Sequence, residues 1–311
     1  MIRINDLQEI RTPFSKATVT IGNFDGVHIG HQALFHQTIE KAQSIGGTSV
    51  AMTFEPHPAR VLGRKKGPPL ITLVEQKMEL ISRTGLDVAI CVPFDAEFSQ
   101  ISPKAFIEDL LIKKIGMKAI VVGEDYCYGS RREGNLASLR DDGARLDFDV
   151  VLVPNIKFIL PDTKRISSTR IRELVMEGNI TKAQKLLGRH YQVRGEVVSG
   201  RNRGGSLLGF PTANIHLVDE LCPKTGVYAV TVECLGGRYK GVANIGFSPT
   251  FDDHIYTMEV HILDFDRDIY GKKIRVNFIK QIRDEVKFSD LSQLSAQIKE
   301  DVHKARSLLS L

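Results

Sequence analysis

The sequence is poor in cysteine and has no long apolar run. Its four cysteines, Cys91, Cys127, Cys222 and Cys234, form no Cys-x-x-Cys pair, so neither a zinc site nor a disulfide framework is indicated. No apolar run approaches the length that crosses a membrane, and residues 1–6 lack the apolar core of a signal peptide. We therefore expect a cytoplasmic protein that does not bind membranes.

Other common features are also missing. There is no Gly-x-x-x-x-Gly-Lys-Ser/Thr sequence, so any phosphate site is not a P-loop, and there is neither a long Gly/Ser/Pro linker nor an internal repeat. The 311 residues leave room for two domains, each with its own core. The formal net charge of +5 fits a nucleotide ligand as well as RNA and does not separate them.

The chain is organised around the turn Gly22-Asn23-Phe24-Asp25-Gly26-Val27-His28-Ile29-Gly30-His31. The residues before it predict a buried strand, and those after it predict a helix over residues 32–44. Such a turn lies at the carboxyl edge of a parallel sheet, where ligands bind, and the helix start offers free N–H groups to an anion. The two histidines share one helical face, which suits a polyphosphate. The stretch resembles the nucleotide-binding signature of the nucleotidyltransferase superfamily, although histidines that only cap the helix remain an alternative.

Residues 17–188 alternate strands and helices, which predicts a doubly wound, Rossmann-like parallel sheet. Strands are predicted at residues 17–22, 48–54, 87–93, 118–123 and 148–153. Residues 72–75 have the pattern of a capping box that begins a helix extending to about Arg83. Ser102-Pro103 is typical of a helix start, and Gly116 is expected to end that helix.

Three further segments, residues 54–58, 123–129 and 166–172, follow predicted strands and should lie at the same edge. The prolines of the first hold it extended and aim His57 at the site. The second offers a carboxylate and two aromatic faces that suit a base or a flavin ring. The third offers arginines and hydroxyls that cap a helix extending to Met176, which are good phosphate ligands. A rigid loop, a turn with packed tyrosines and a bare helix cap are the respective alternatives.

From residue 191 onward the hydrophobic pattern has period 2, which predicts a small antiparallel barrel or sandwich. Strands are predicted at residues 192–199, 213–217, 226–234, 238–245, 256–264 and 273–280. An amphipathic helix that begins near Asp290 closes the chain, and we expect it to cover the barrel. The change of pattern predicts a first domain over residues 1–184 and a second over residues 185–311.

Three polar residues of the second half suggest chemistry. Thr212 and Asn214 alternate onto one face of a strand, so both oxygens can reach one magnesium ion. Glu259 lies in mid-strand among apolar neighbours and, if it faces the barrel mouth, can accept the proton of an attacking hydroxyl. The turn at residues 200–206 is rich in glycine and arginine and can cradle phosphates, although a solvated hairpin is the alternative.

Seven segments occur in the order of one family. They are residues 22–31, 54–58, 123–129, 166–172, 208–214, 241–246 and 259–265. In these segments the whole chain resembles the bacterial bifunctional riboflavin kinase/FAD synthetase family. The resemblance implies a C-terminal kinase that makes FMN from riboflavin and ATP. It also implies an N-terminal FAD synthetase (FMN adenylyltransferase) that converts FMN and ATP to FAD and pyrophosphate. Magnesium is the implied cofactor, and no nucleic-acid partner is expected.

The same resemblance implies roles for individual residues. His28 and His31 would steady the ATP phosphates, and Glu259 would be the kinase base. The implied nucleotide-binding residues are Gly22, Asn23, Phe24, Asp25, Gly30, Ser168, Thr169, Arg172, Gly209 and Pro211. The implied flavin-binding residues are His57, Asp125, Tyr126 and Tyr128, and the implied magnesium ligands are Thr212 and Asn214.

Two positions depart from the family pattern. Ser206 stands where a basic residue is usual, so Arg201 or Arg203 would have to make its phosphate contacts, and Cys127 also stands where a basic residue is common. Other functions remain open: an FMN adenylyltransferase whose barrel only senses flavin, a tRNA-related enzyme and an RNA-binding barrel. The lack of a Lys-Met-Ser-Lys-Ser-like loop counts against the second, and the lack of exposed aromatic platforms against the third. The oligomeric state is not predicted.

Overall fold

The structure is a computed structural model that describes residues 1–63, 67–154, 165–199, 209–217, 219–247 and 256–310. The chain divides into two compact units, Met1–Ser168 and Thr169–Leu311. The predicted domain boundary at residue 184 falls later in the chain. The helix α6 (Ser168–Met176) lies between the two positions, and the helix α7 (Ile180–Leu187) spans the predicted boundary.

The first unit contains one parallel sheet. Its strands are β1 (Ile2–Ile4), β2 (Ala17–Ile21), β3 (Ser49–Glu55), β4 (Val88–Pro93), β5 (Met117–Gly123) and β6 (Asp149–Val153). Their order is β1-β4-β3-β2-β5-β6, and every neighbouring pair is parallel. Every residue of β2 is buried, as expected for a strand covered on both faces. The doubly wound sheet is confirmed, and the strand β1 is an addition to the prediction.

Among its described residues, the first unit also contains five helices. They are α1 (Ile29–Ser44), α2 (Pro58–Leu62), α3 (Val74–Ser82), α4 (Pro103–Ala105, continued with wider π-type turns over Phe106–Ile115) and α5 (Leu136–Leu146). Ser102 caps α4 through a hydrogen bond from the Ala105 N–H to its hydroxyl, and Gly116 ends the helix in the left-handed conformation. Both features are as predicted.

The second unit is a closed antiparallel barrel. Its strands are β7 (Tyr191–Val198), β8 (Ala213–His216), β9 (Gly226–Cys234), β10 (Gly237–Phe247), β11 (Tyr256–Ile262) and β12 (Lys273–Arg283), in the order β10-β11-β8-β7-β12-β9. The helix α8 (Leu291–Leu308) begins after Asp290, whose carboxylate accepts from the N–H groups of Ser292 and Gln293. It packs against β9, β10 and β12. The predicted barrel and its closing helix are confirmed.

Candidate active sites

The nucleotide turn lies where the sheet changes its winding direction. From β2 the chain winds through β3 and β4 on one side, whereas β5 and β6 extend the sheet on the other. The turn at residues 22–28 follows β2, and the predicted flavin loop at residues 123–129 follows its neighbour β5. Open parallel sheets bind ligands in the crevice at this point. The topology therefore brings the two predicted loops to one edge of the sheet.

The two histidines stack on each other at the start of α1. His28 is the N-cap residue, and its Nδ1 accepts a hydrogen bond of 3.3 Å from the His31 N–H. The ring centroids are 3.6 Å apart, with 18° between the planes. A Cβ at Gly30 would lie 3.1 Å from two atoms of the His28 ring, so glycine makes room for this arrangement. His28 does cap the helix, and the pair also forms a preorganised polar group at a helix N-terminus, where anions bind.

Phe24 supports this pair from the interior of the first unit. Its ring is buried and lies edge-on to His31 at 5.3 Å and to Phe35 at 4.7 Å. A Cβ at Gly22 would lie 2.8 Å from the Phe24 ring. Phe24 and Val27 have φ angles of 47° and 40°, which are unusual for these side chains and typical of constrained functional turns. Gly22 and Phe24 thus shape the turn, and direct contact between them and ATP stays a prediction.

Asp25 anchors the turn to the loop before α3. Its buried carboxylate accepts hydrogen bonds from the N–H groups of Ile71 (3.1 Å) and Thr72 (2.9 Å) and from the Thr72 hydroxyl (3.2 Å). The same hydroxyl accepts from the Gly26 N–H at 2.9 Å. The predicted capping box at Thr72 is therefore wrong, because Asp25 engages its side chain. Leu73 is the N-cap residue of α3 and makes no side-chain cap.

A buried lysine fixes the backbone on the other side of the turn. The Lys77 ammonium on α3 donates to the carbonyl oxygens of Phe54 (2.9 Å) and Asn23 (3.4 Å). The Thr53 hydroxyl also donates to the Asn23 carbonyl, at 3.1 Å. The Asn23 side chain itself is exposed. Sequence analysis missed Lys77 because a lysine on a short amphipathic helix is usually a surface residue.

The predicted hydroxyl and arginine cluster begins α6. The Ser168 hydroxyl donates to the Asp25 carbonyl at 2.9 Å, so it contacts the nucleotide turn directly. Thr169 and Arg172 follow on the first turn of α6, which extends to Met176 as predicted. Their contact with ATP phosphates stays a prediction.

The loop after β3 differs from the predicted extended segment. The Glu55–Pro56 peptide is cis, and Pro58 begins α2. His57 is the N-cap residue of this helix, and its Nδ1 accepts from the Ala59 N–H at 3.2 Å. The prediction overlooked that proline is favoured at the first helical position. His57 still lies at the carboxyl end of β3, next to β2, and its contact with flavin stays a prediction.

The loop after β5 presents two neighbouring exposed acidic residues, Glu124 and Asp125. Asp125 is exposed and forms an ion pair of 2.6 Å with Arg165, which sequence analysis did not single out. The pair joins the flavin loop to the segment that leads to Ser168. Asp125 remains the candidate for contact with flavin in this loop.

The two tyrosines of this loop differ in their surroundings. The Tyr128 ring is buried beside Phe106 and Tyr126, and its hydroxyl lies 3.4 Å from the Ser138 hydroxyl and the Asp142 carboxylate. These are the surroundings of a packed core residue, the alternative given above. The buried Tyr126 hydroxyl has no hydrogen-bond partner among the described residues, and burial raises the pKa of Tyr126. Tyr126 is therefore a neutral donor at physiological pH.

In the second unit, Glu259 belongs to a row of polar residues across three strands. The register pairs it with Asn244 of β10 on one side and with Asn214 of β8 on the other. Its sequence neighbours Met258 and Val260 are buried in the barrel core, so Glu259 lies on the outer face of the wall. That Glu259 faces the barrel mouth, the condition for its role as a base, stays a prediction. Asn244 is a further residue that sequence analysis missed, because only the register places it beside Glu259.

The Glu259 carboxylate is half-buried and makes no hydrogen bond or ion pair within the described residues. Burial raises its pKa above the ordinary glutamate value. A carboxylate that is partly desolvated and unpaired is unfavourable in the absence of a ligand. This is typical of a residue whose partners arrive with the substrate.

A cleft of about 330 Å³ is lined by Thr212, which lies two residues before Asn214 of this polar row. Its lining includes Pro211, Thr212, Phe265 and Arg267. The Pro211 carbonyl lies 2.8 Å from Nδ1 of His261, which fixes the segment before β8. The preceding glycine, residue 209, has a φ of 76°, and a Cβ there would meet no atom within 4 Å. The predicted phosphate turn at residues 200–206, Ser206 included, lies outside the described residues.

The second unit contains another cleft, of about 500 Å³. It is lined by Lys224, Thr225, Asp284, Glu285 and Lys287. A Cβ at Gly246 would lie 3.2 Å from the Glu285 carboxylate, and Gly246 pairs with Thr257 of β11. Thr257 precedes Glu259 by two residues on β11, and Val260, which follows Glu259, lines the first cleft.

Magnesium is the cofactor that the predicted ligands imply. Among the described residues, no group of three or more His, Cys, Asp or Glu side chains is placed to hold a metal ion. A magnesium ion here would therefore depend on hydroxyl, amide and phosphate oxygens. The side-chain oxygens of Thr212 and Asn214 fit Mg²⁺ with its remaining positions left to phosphates and water.

Comparisons with known proteins agree on both units. A family profile described as FAD synthetase matches residues 11–170, and one described as riboflavin kinase matches residues 187–309. The chain belongs to the bifunctional riboflavin kinase/FMN adenylyltransferase family. It is 35% identical to the family member from Buchnera aphidicola, over 99% of this chain and 98% of that one. It is 37% identical to the Escherichia coli K12 member, over 97% and 95%.

A solved structure covers the same full length. The crystal structure of a Streptococcus pneumoniae protein, described as a macrolide-efflux protein, superposes with a TM-score of 0.87 at 34% identity, covering 98% of both chains. Within the described residues of this chain, no helix is long and apolar enough to cross a membrane. As a member of this family, the chain has both transferase activities, with the FAD synthetase domain first and the kinase domain second. The predicted function is thereby confirmed.

Proposed function

We propose that the histidine pair at the start of α1 binds the ATP phosphates during adenylyl transfer to FMN. An FMN phosphate oxygen attacks the α-phosphorus of ATP, the bond to the β-phosphate breaks, and pyrophosphate leaves. The proposal is carried by the stacked His28 and His31 rings at the N-terminus of α1. Catalysis there is positioning and neutralisation of charge, with no covalent enzyme intermediate. Ser168 lies beside the same turn, since its hydroxyl donates to the Asp25 carbonyl.

Asp125, Tyr126 and His57 are our candidates for binding the FMN acceptor. They follow β5 and β3, the two neighbours of β2 in the sheet. The buried hydroxyl of Tyr126 supports this assignment, because among the described residues it has no partner. Tyr128 orders the loop through its packing.

In the barrel, Glu259 is the base of the kinase reaction. It accepts the proton of the terminal ribityl hydroxyl of riboflavin as that oxygen forms its bond to the γ-phosphorus and ADP leaves. Little deprotonation is needed early in this loose transfer, so a carboxylate is a sufficient base. The raised pKa of Glu259 supports the assignment, because it brings the pKa of the base closer to the pKa of the hydroxyl that it deprotonates.

The two clefts suggest how the kinase substrates lie about Glu259. The nucleotide occupies the cleft that contains Pro211, Thr212 and Arg267, and riboflavin approaches from the cleft that contains Glu285. Thr212 and Asn214 would hold magnesium, which neutralises phosphate charge when bound. Asn244, opposite Glu259, donates a hydrogen bond to the acceptor chain.

A time course of the full chain with riboflavin, ATP and magnesium tests these assignments. Riboflavin, FMN and FAD are separated by chromatography for the wild type, His31→Ala and Glu259→Gln. We expect His31→Ala to lower FAD formation by about 10²–10³-fold and to leave FMN formation nearly intact. We expect Glu259→Gln to lower FMN formation by about 10²–10⁴-fold, with FAD still made from added FMN.

Each variant is the control for the other, since both activities are measured on one protein. Equal loss of both activities in a folded His31→Ala protein would contradict a separate adenylyl-transfer site. Normal riboflavin turnover in Glu259→Gln would remove Glu259 from the role of base.

A further inference from the structure

Lys77 is buried at the edge of the nucleotide turn and has no role in the chemistry described above. Only 5% of it is exposed. Its ammonium donates to carbonyls of two different segments: Phe54, near the end of β3, and Asn23, in the turn after β2. No carboxylate among the described residues lies within ion-pair distance of it. A buried ammonium is costly unless it is bonded, so its presence here points to a specific use.

The charges around Lys77 come from three elements. Burial lowers its pKa, and Cys91 on β4, Glu55 at the end of β3 and Asp25 in the turn act in the opposite direction. Burial also raises the pKa of the Cys91 thiol, which is therefore neutral at physiological pH. The Asp25 carboxylate is bonded to Ile71 and Thr72. The polar contacts of the ammonium that the structure shows are thus to carbonyl oxygens.

These contacts connect Lys77 to the histidines through one short path. The Asn23 carbonyl receives hydrogen bonds from Lys77 and from the Thr53 hydroxyl, which fixes the plane of the peptide between Asn23 and Phe24. That peptide precedes the left-handed φ of Phe24, and the Phe24 ring supports His31 edge-on at 5.3 Å. A displacement of the Asn23 carbonyl would therefore move Phe24, and the Phe24 ring would in turn displace the His31 ring.

We propose that Lys77 is a positioning residue of adenylyl transfer, which holds the Asn23 carbonyl against the end of β3 so that the histidine pair is aligned with the ATP phosphates. The proposal rests on the proposed function of that pair. Lys77 acts through the turn and does not itself touch the reacting atoms. Small displacements of an aligned group cost up to about 10²-fold in rate, so the effect is measurable.

The test compares Lys77→Met, which keeps the length and removes the donor, with Lys77→Gln, which keeps an N–H donor. Lys113→Met, at an exposed position on α4, is the matched control. In the full chain, kcat and KM are measured for FAD formation, with FMN formation as the internal reference and thermal unfolding as the check on folding. We expect Lys77→Met to lower kcat for FAD formation by about 10–100-fold with KM for ATP changed by less than about 3-fold. Lys77→Gln should recover part of that loss, and Lys113→Met should match the wild type.

An unchanged kcat for FAD formation in folded Lys77→Met would overturn the proposal, and so would a parallel loss of FMN formation. If Lys77→Met does not fold, Thr53→Val removes the other donor to the Asn23 carbonyl, and a kcat equal to that of the wild type would count against the path. Loss of FAD formation in His31→Ala but not in Lys77→Met would refute this inference alone. Full FAD formation in His31→Ala would refute the proposed function of the pair itself.

Discussion

At the scale of single residues, two glycines leave space for side chains that the chemistry needs. A Cβ at Gly30 would lie 3.1 Å from the His28 ring, and a Cβ at Gly246 would lie 3.2 Å from the Glu285 carboxylate. The first glycine lies in the proposed adenylyl-transfer site, and the second lies beside Glu285, which lines a cleft of the barrel unit. Neither position has a positive φ, so the space itself, and not backbone freedom, favours glycine there.

Substitution of these glycines should therefore impair one reaction at a time. We expect Gly30→Ala to lower FAD formation by about 10-fold or more, because the added methyl displaces the His28 ring. Its free energy of unfolding should change by no more than about 1 kcal/mol, because the helix preference of alanine offsets the weakened His28 cap. Gly246→Ala should lower FMN formation instead. Both activities and urea unfolding are measured for each variant, and a Gly30→Ala protein with normal FAD formation would show that the ring position is not required.

The pH dependence of the kinase follows from the Glu259 carboxyl. Burial raises its pKa, and only the ionised form accepts a proton. We expect kcat/KM for riboflavin to fall as the pH is lowered, with a midpoint above about 4.3, the ordinary glutamate value. The raised pKa also means that this group stabilises the fold less as the pH rises through that midpoint, so Glu259→Gln should raise the free energy of unfolding at neutral pH.

The measurement is a pH profile of FMN formation, with FAD formation from added FMN as the reference. The residual activity of Glu259→Gln should lack the acid limb. An acid limb that persists unchanged in this variant would assign it to another group.

At the scale of secondary structure, the elements with a long periodic pattern were the most predictable. The strands β2 to β6 begin and end within one residue of their predicted bounds, and Asp290 caps α8 as expected. Alternation and caps are local signals, so they can be identified without knowledge of the fold. The strand β1 was missed because three residues are too few to show alternation.

Elements that depend on distant partners were less predictable. Thr72 has the local pattern of a helix cap, but Asp25, 47 residues earlier, engages its hydroxyl. Lys77 has the pattern of a surface residue, but it is buried against the ends of β2 and β3. Asn244 shares a row with Glu259 only because of the barrel register. In each case the deciding contact lies between segments that no single-sequence pattern connects.

At the scale of the whole molecule, each reaction has its own compact unit. The sheet of the first unit positions the adenylyl-transfer site, and the barrel of the second positions the kinase site. Each unit also has a buried polar contact of its own. In the first, Thr72 bonds to Asp25 and Gly26. In the second, Arg283 on β12 forms a 2.8 Å ion pair with the buried Asp301 on α8.

The two activities should therefore be lost separately on heating. We expect Asp301→Ala, which leaves Arg283 without its partner, to destabilise the barrel by about 3–5 kcal/mol. We expect Thr72→Val, which leaves the Asp25 carboxylate and the Gly26 N–H without this partner, to destabilise the first unit by about 1–3 kcal/mol.

The full chain is heated in steps, cooled and assayed for both activities. Asp301→Ala should lower the temperature at which FMN formation is lost, and Thr72→Val that for FAD formation, with Thr72→Ser as the control that keeps the hydroxyl. If either variant shifts both temperatures equally, the two units unfold as one and the sites are not independent in stability.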